Sequence, residues 1–398
     1  MKKPLIRSFI AVIVLLWCAS IVAGEPNATS TQTGLVKGNN DYGVQLFREL
    51  ATTPGNLFIS PYSISSALAM TYAGARGNTA KEMKEAMRFQ YDQSQLNKAF
   101  KSLNRDMMAA AAKGGAKLTI ANGLCLTGGD VSKEYKAILR EDYSAEMFPG
   151  GLEQVNGWVK EKTEGKIPTI LEKLDVNSVC VILNAIYFKG VWESQFKKDR
   201  TFDAPFFVSG SKKVTAPLMY QKSDFRLLDE KGFQILSIPY KGKDLSMIIL
   251  LPEAHDGLPA LEKELTSAKL ADWLARLDRQ QPTKTELFLP RFKIETGYDL
   301  VGPSMKMGMK DAFTGRADFT GTGWKVGELW ISQIKHKAFV EVNEEGTEAA
   351  AATAVEMATK GMRYDPIFRA DHPFLFLIRE NAKGTILFLG RMAEPVAK

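Results

Sequence analysis

Histidine and cysteine are scarce in this 398-residue chain, with three of each. The histidines, His255, His336 and His372, stand far apart in sequence, and no HExxH, CxxC, GxSxG or P-loop pattern occurs. No acidic cluster has the spacing of a calcium loop. GTGWKVG (321–327) carries one residue too many for GxGxxG and does not join a strand to a helix, so it reads as a surface turn. These absences remove the usual zinc, thiol-redox, nucleotide and serine-hydrolase signatures. A catalytic triad scattered through the sequence would be the one enzymatic option left, and nothing positive speaks for it. No catalytic residue, no metal and no cofactor are expected.

Linkers, repeats and long apolar runs are missing as well, with one exception. Lys2, Lys3 and Arg7 precede an apolar run from Phe9 to about Ala19, and small residues end the segment at Val22, Ala23 and Gly24. This is the pattern of a signal peptide over 1–24, with cleavage near Ala23 or Gly24; the run is too short to span a bilayer comfortably. A secreted or extracytoplasmic protein is expected, in the periplasm or the extracellular space, with no membrane association after cleavage. Cleavage lowers the formal charge from +7 to +4 by removing Lys2, Lys3 and Arg7. Interspersed charges of both signs give no nucleic-acid footprint. Cys18 leaves with the signal, and Cys125 and Cys180 lie in apolar runs (GLCLT and SVCVIL). Two cysteines make no disulfide framework; buried free thiols are the favoured reading, and a single bridge in an exported protein the other. Asn27-Ala28-Thr29 is the only glycosylation sequon.

A polar lead over 25–39 reads as flexible, and helical patterns follow. Ser60 before Pro61 is a cap followed by proline at the first helical position, and YSISSALAMTYAGA reads as a largely buried helix. Further helices are expected from Thr79, from Asp92 to about Ala112, over 131–142, 151–165 and 257–276. Strand patterns cover 117–126, 178–188, 201–208, 213–220, 233–240, 245–251, 337–342, 372–379 and 385–392. TELFLPRFKIE (285–295) alternates, with Phe288, Phe292 and Ile294 on one face and Arg291, Lys293 and Glu295 on the other. Early helices with strands scattered to the end imply an α+β fold with large, mainly antiparallel sheets in a single body. Asn184 is a polar residue inside the apolar strand VILNAIYF, and a buried amide needs partners. Ser63 on an apolar helix and His336 at a strand start are similarly placed.

EEGTEAAAATAVEMATKG (344–361) fits two patterns. Glu348, Glu356 and Lys360 share a helical face at spacings of eight and four. They are also all even-numbered, so a strand would have one neutral face of small residues and one charged face. Spacing does not choose. A third reading fits the composition: an exposed loop able to enter a sheet later as a strand, its small side chains avoiding overpacking and Glu344-Glu345-Gly346 giving a flexible start.

The chain from about residue 40 to 395 resembles the serpins. EEGTEAAAATA resembles the hinge of inhibitory members, and DHPFLFLIR (371–379) with FLGRM (388–392) resembles the family's C-terminal signature. NAIYFKGVW (184–192) is similar to its central-strand motif, and NLFISPYSISSALAM (56–70) to its second helix. The resemblance implies three β-sheets, about nine helices and an exposed reactive-centre loop of about 344–370 in a single domain over 40–398. It implies a hinge of Glu344, Glu345, Gly346, Thr347, Glu348, Ala349, Ala350, Ala351 and Ala352. It implies a shutter of Ser60, Ser63, Asn184 and His336, where the main sheet parts, and a breach at Trp192, where insertion starts. Family spacing, sixteen residues past Glu344, puts the reactive bond at Lys360–Gly361, with Arg363 the rival because the loop is long. The implied activity is suicide inhibition of a trypsin-like serine protease, the covalent partner of a monomeric inhibitor. A non-inhibitory carrier or chaperone and a cysteine-protease inhibitor are the alternatives. Thr, Ala and Ala at 347, 349 and 351 favour inhibition, since a charge there would obstruct insertion.

Overall fold

Leu35, Val36, Tyr42, Val44, Leu46 and Phe47 are buried along the first helix, α1 (Ala28–Leu50), in a computed structural model that describes residues 28–174, 180–209, 211–347 and 365–395. This helix takes up most of the lead expected to be flexible as far as residue 39. Gly38, Asn39 and Asn40 are poor helix formers, which hid it. Tertiary contact overrides that propensity: Leu35 and Val36 join the core, and the Asn39 side chain, fully buried, accepts a hydrogen bond from Ser65 Oγ at 2.6 Å.

Eight more α-helices follow among the described residues: α2 (Pro61–Tyr72), α3 (Gly77–Ala86), α4 (Gln93–Lys113), α5 (Lys133–Tyr143), α6 (Leu152–Lys162), α7 (Leu258–Glu264), α8 (Ser267–Asp278) and α9 (Val301–Lys306). All twelve residues of α2 are buried, and it starts as the sequence indicates, with Pro61 in the first turn and the Ser60 side chain accepting from Ser63 N. The single helix expected over 257–276 is two, because Thr266 caps α8 by accepting from Lys269 N at 3.2 Å and so ends α7 before it.

Six strands build one sheet: β2 (Lys117–Leu126), β3 (Glu146–Phe148), β4 (Cys180–Val191), β10 (Phe292–Asp299), β11 (Ile331–Val342) and the short β12 (Gly346–Thr347), in the order β10-β11-β12-β4-β2-β3. The other nine are β1 (Leu57–Ile59), β5 (Thr201–Phe207), β6 (Lys213–Glu230), β7 (Phe233–Pro239), β8 (Leu245–Pro252), β9 (Thr283–Pro290), β13 (Ile367–Arg369), β14 (Phe374–Glu380) and β15 (Ile386–Met392). They form two sheets that share β6, which pairs with β5 and β9 along its first part and with β7 over Arg226–Glu230. This is the expected α+β arrangement of three sheets. β6 runs ten residues past the expected 220, through a mostly polar and charged stretch of which only Gln221, Phe225 and Leu228 are buried, so no apolar run or alternation marks it in the sequence. The alternating run 285–295 is not one strand. It breaks at Arg291 after Pro290, and the chain passes from β9 in one sheet to β10 in another. Proline offers no N–H to continue a ladder.

The two faces of the six-stranded sheet bury different sets. Even-numbered residues of β4 (Cys180, Ile182, Ile186 and Phe188) join the large core with α2; odd ones (Val181, Leu183, Ala185 and Tyr187) pack against Val155, Trp158 and Val159 of α6. Cys125 belongs to the α6 side and Cys180 to the α2 side, so the two thiols project from opposite faces and are free and buried. Burial raises the Cys125 thiol and pushes Cys180 up to about 12. No helix among the described residues is long and apolar enough to cross a membrane.

Candidate functional site

Strands β4 and β11 sit centrally and pair in parallel from Cys180 with Ile331 to Tyr187 with Phe339. Most of their neighbours in the sheet pair antiparallel, and parallel pairing is slightly weaker per residue. Midway along, Asn184 lies beside His336, and the four residues expected at the shutter meet. His336 Nδ1 is 2.7 Å from Asn184 Oδ1, while its Nε2 accepts from Ser60 N at 3.2 Å. That acceptor role assigns the imidazole proton to Nδ1, which donates to Asn184. Asn184 Nδ2 donates toward Ser63 Oγ at 2.6 Å, Ser63 O at 3.1 Å and Asn122 Oδ1 at 2.8 Å. Ser60 Oγ donates to Leu387 O at 2.6 Å. His336 is fully buried, and that burial lowers its pKa to about 3, so the ring is neutral at physiological pH.

The network is wider than the sequence reading foresaw. Asn122 joins it from β2, next to Asn184 in register, and its Nδ2 donates to Ser66 Oγ at 3.1 Å. Asn122 carried the same signal as Asn184, an amide inside an apolar strand, and could have been found by it.

At one end of the β4–β11 seam a third strand has already entered. β12 is antiparallel to both neighbours, with Thr347 opposite Gly190 on β4 and Val342 on β11, and Gly346 opposite Val191. A Cβ on Gly346 would lie 2.0 Å from Gly190 O, so only glycine fits here. The start of the hinge is therefore anchored and buried, where the sequence suggested a flexible, exposed one. Glu344 has a buried carboxylate that accepts from Arg291 Nε at 2.7 and 2.8 Å, from Arg291 Nη2 and from Thr201 Oγ1. Burial alone would raise this carboxyl, but those donors outweigh it and hold it below the usual range. Glu345 pairs with Lys198 at 2.6 Å. Arg291 occupies the break between β9 and β10, so that break is what aims the guanidinium at the hinge. Nothing in the sequence pattern linked residues 291, 201 and 198 to 344 and 345.

Trp192, expected at the breach, lies against this anchor. Its N–H donates to Glu345 O and its Nε1 to Asn343 O, both at 3.0 Å. Its ring stacks on Tyr240 with centroids 4.6 Å apart. Tyr240 OH is 2.7 Å from Thr347 Oγ1, and Thr347 is fully buried. Trp192, Tyr240 and Phe188 thus floor the slot that β12 enters. The hinge residues Glu348, Ala349, Ala350, Ala351 and Ala352, the bond at Lys360 and Gly361, and Arg363 lie outside the described residues, as do the signal pattern and the sequon asparagine.

The arrangement is a sheet with a polar, parallel seam and a strand wedged into one end of it. A family model described as Serpin (serine protease inhibitor) matches residues 37–395. The leukocyte elastase inhibitor of Sus scrofa is 42% identical over 383 residues, which is 91% of this chain and 99% of that protein. Among solved structures, the native state of tengpin, a thermophilic serpin, matches with a TM-score of 0.82 at 28% identity, covering 90% of this chain and 94% of that one. Human thyroxine-binding globulin complexed with thyroxine matches with a TM-score of 0.83 at 28% identity, covering 92% and 100%.

Proposed function

The chain belongs to the serpin family, and from that premise we propose that it is a suicide inhibitor of a trypsin-like serine protease, cleaved at Lys360–Gly361 with Arg363 as the rival position. The protease attacks the loop as a substrate and forms an acyl-enzyme with the Lys360 carbonyl. Once the bond is cut, residues 348 onward extend β12 between β4 and β11, a strand addition of which serpin loop insertion is a recognised example. The tethered protease is carried along, its active site is distorted, and deacylation stalls.

The observation that carries this reading is the register of β12. Extended along β4 it predicts Ala349 opposite Phe188, Thr353 opposite Asn184 and Met357 opposite Cys180. Extended along β11 it predicts Ala349 opposite Val340 and Thr353 opposite His336. Asn184 and His336 are already register partners. The two strands therefore need only separate by one strand spacing, about 4.8 Å, without sliding. Odd residues 349–357 are small or neutral and would face the α2 core. Glu348 and Glu356 would face the other side, and Thr353 would meet the polar shutter. The β12 register supports the strand over the helix for this segment.

A ten-residue inserted strand makes about twenty ladder hydrogen bonds and displaces about eight. The dozen gained, at roughly 1 kcal/mol each, amount to a gain on the order of 10 kcal/mol. That is comparable with the stability of a whole domain, so the uncleaved fold is a kinetic trap. Incubation with trypsin tests the proposal: a 1:1 complex surviving denaturing electrophoresis supports it, with Gly361 as the new N-terminus of the released peptide. Cleavage without complex supports the carrier alternative.

A second target class has an observation in its favour. The pig relative is named an elastase inhibitor, and elastase takes a small residue in its primary pocket. Cleavage after a small residue of 348–359 with complex formation only with elastase would select it. We further propose export, as a monomer, to an extracytoplasmic compartment: the signal pattern over 1–24 ends before α1 begins at Ala28, so cleavage leaves the fold intact.

A further inference from the structure

We propose that His255, Asp371 and His372 form a binding site for a divalent ion of the zinc class, a site separate from the hinge and the shutter. One ligand atom from each lies within 4.8 Å of the others. His255 and His372 are more than a hundred residues apart in sequence, with no zinc-like spacing, so only the fold brings them together. Asp371 Oδ1 and His372 Nδ1 are 3.0 Å apart, and His372 Nε2 donates to Pro252 O at 2.7 Å. With one ring N–H donated to Pro252, the Nδ1 edge of the His372 ring faces a carboxylate oxygen of Asp371. A proton or a metal ion can be held between those two atoms. Ligands at about 2.1 Å on a tetrahedral zinc ion are separated by about 3.4 Å, so this pair, 3.0 Å apart, need open only slightly to hold one.

The supports that orient metal ligands are also in place. A metal-bound histidine commonly donates its other ring N–H to a carbonyl, as His372 does to Pro252, and ligating carboxylates are themselves hydrogen-bonded. Asp371 Oδ2 accepts from Arg369 Nε at 2.8 Å, and its backbone carbonyl accepts from Phe207 N at 2.8 Å. His255 supplies the third ligand from the loop after β8. Its exposed ring stacks on Phe207 at 4.2 Å, lies 4.8 Å from the His372 ring, and makes no hydrogen bond among the described residues. Asp371 and His372 are 8% and 5% exposed, so two ligands are fixed by packing while the third can swing in from solvent. Water completes the four positions. Nitrogen and oxygen donors of this kind suit zinc and, within the same class, cobalt. The ion would tie the loop after β8 to the chain just beyond β13, where the reactive loop rejoins the body.

The test uses the full chain stripped with a chelator, titrated with zinc by calorimetry and with cobalt by visible absorption. The expected result is one zinc ion per chain and a tetrahedral cobalt spectrum. His255→Ala alters an exposed side chain and leaves the buried pair alone; it should weaken binding by about a hundredfold or more, beyond the 10–100-fold typical of outer-shell changes. In nitrogen-15 spectra of the wild type, zinc should shift the ring signals of His255 and His372 and leave those of His336 in place. No zinc uptake, equal affinity in His255→Ala, or an unshifted His372 ring would each overturn the proposal and leave an imidazolium–carboxylate pair only.

Discussion

Ala349→Arg should turn the inhibitor into a substrate, while Glu348→Arg, one residue away, should leave it an inhibitor. The β12 register predicts that residue 349 is inserted between Phe188 and Val340, each 1% exposed on the core face of the sheet. An arginine there is an unpaired buried charge, costing about 3–5 kcal/mol, with about 1–3 kcal/mol more from overpacking. The total is below or near the insertion gain, so the final state is weakened more than forbidden. The rate decides the outcome. Position 349 must enter before most of the new ladder has formed, so most of the penalty falls on the barrier. Even 2.7 kcal/mol of it slows insertion about a hundredfold, and deacylation then wins. Residue 348 would face outward between Lys189 and Glu341, where a charge stays hydrated and has a partner. The assay is denaturing electrophoresis after mixing with trypsin, comparing covalent complex with free cleaved inhibitor. Equal complex yields from the two variants would refute the alternation. Thr347→Arg is a less selective probe, because Thr347 is already buried against Tyr240 in the uncleaved protein.

Asn184→Ala strips partners from His336, Asn122 and Ser63 at once and should lower stability by about 3 kcal/mol or more, read as a reduced urea midpoint. Gly346→Ala should expel β12, since its methyl would collide with the Gly190 carbonyl; faster amide exchange at Thr347 would report it. Arg291→Ala leaves the Glu344 carboxylate buried without its main partner, and should also speed exchange at residues 345–347. The shutter histidine predicts a pH dependence. His336 has a folded pKa of about 3, below its unfolded value near 6.5, so the unfolded chain takes up a proton first as pH falls. Its contribution is complete above about pH 6.5 and is lost on descending toward pH 3, by about 4–5 kcal/mol in all. His336→Gln should flatten the stability profile across that range by up to one proton's slope.

Most strands were legible because apolar runs and alternation are local signals: 117–126 matches β2 end for end, and the Ser60–Pro61 cap marks α2 correctly. The errors fall where long-range contact decides. Gly38 and two asparagines spoke against α1, and Leu35 and Val36 buried in the core overruled them. Pro290 and Arg291 looked like part of one alternating strand, and the turn between two sheets there follows from the tertiary arrangement. Within the site, Ser63, Asn184 and His336 stand out as polar residues in apolar surroundings and Ser60 as a helix cap, while Trp192 and the roles of all five come from the family resemblance; their mutual contacts could not be read from spacing. The grip of Arg291, Thr201 and Lys198 on Glu344 and Glu345 had no sequence signal, being made between segments over fifty residues apart. Glu344-Glu345 looked solvated for the ordinary reason that paired glutamates usually are.

The central claim is that cleavage adds residues 348–357 to the sheet between β4 and β11 without a slide of either strand. A crystal structure of the trypsin-cleaved protein tests it most directly. The register predicts Thr353 seated between Asn184 and His336, Ala349 between Phe188 and Val340, and Glu348 beside Lys189. A cleaved protein in which Asn184 and His336 remain direct neighbours, with the cut segment outside the sheet, would contradict it.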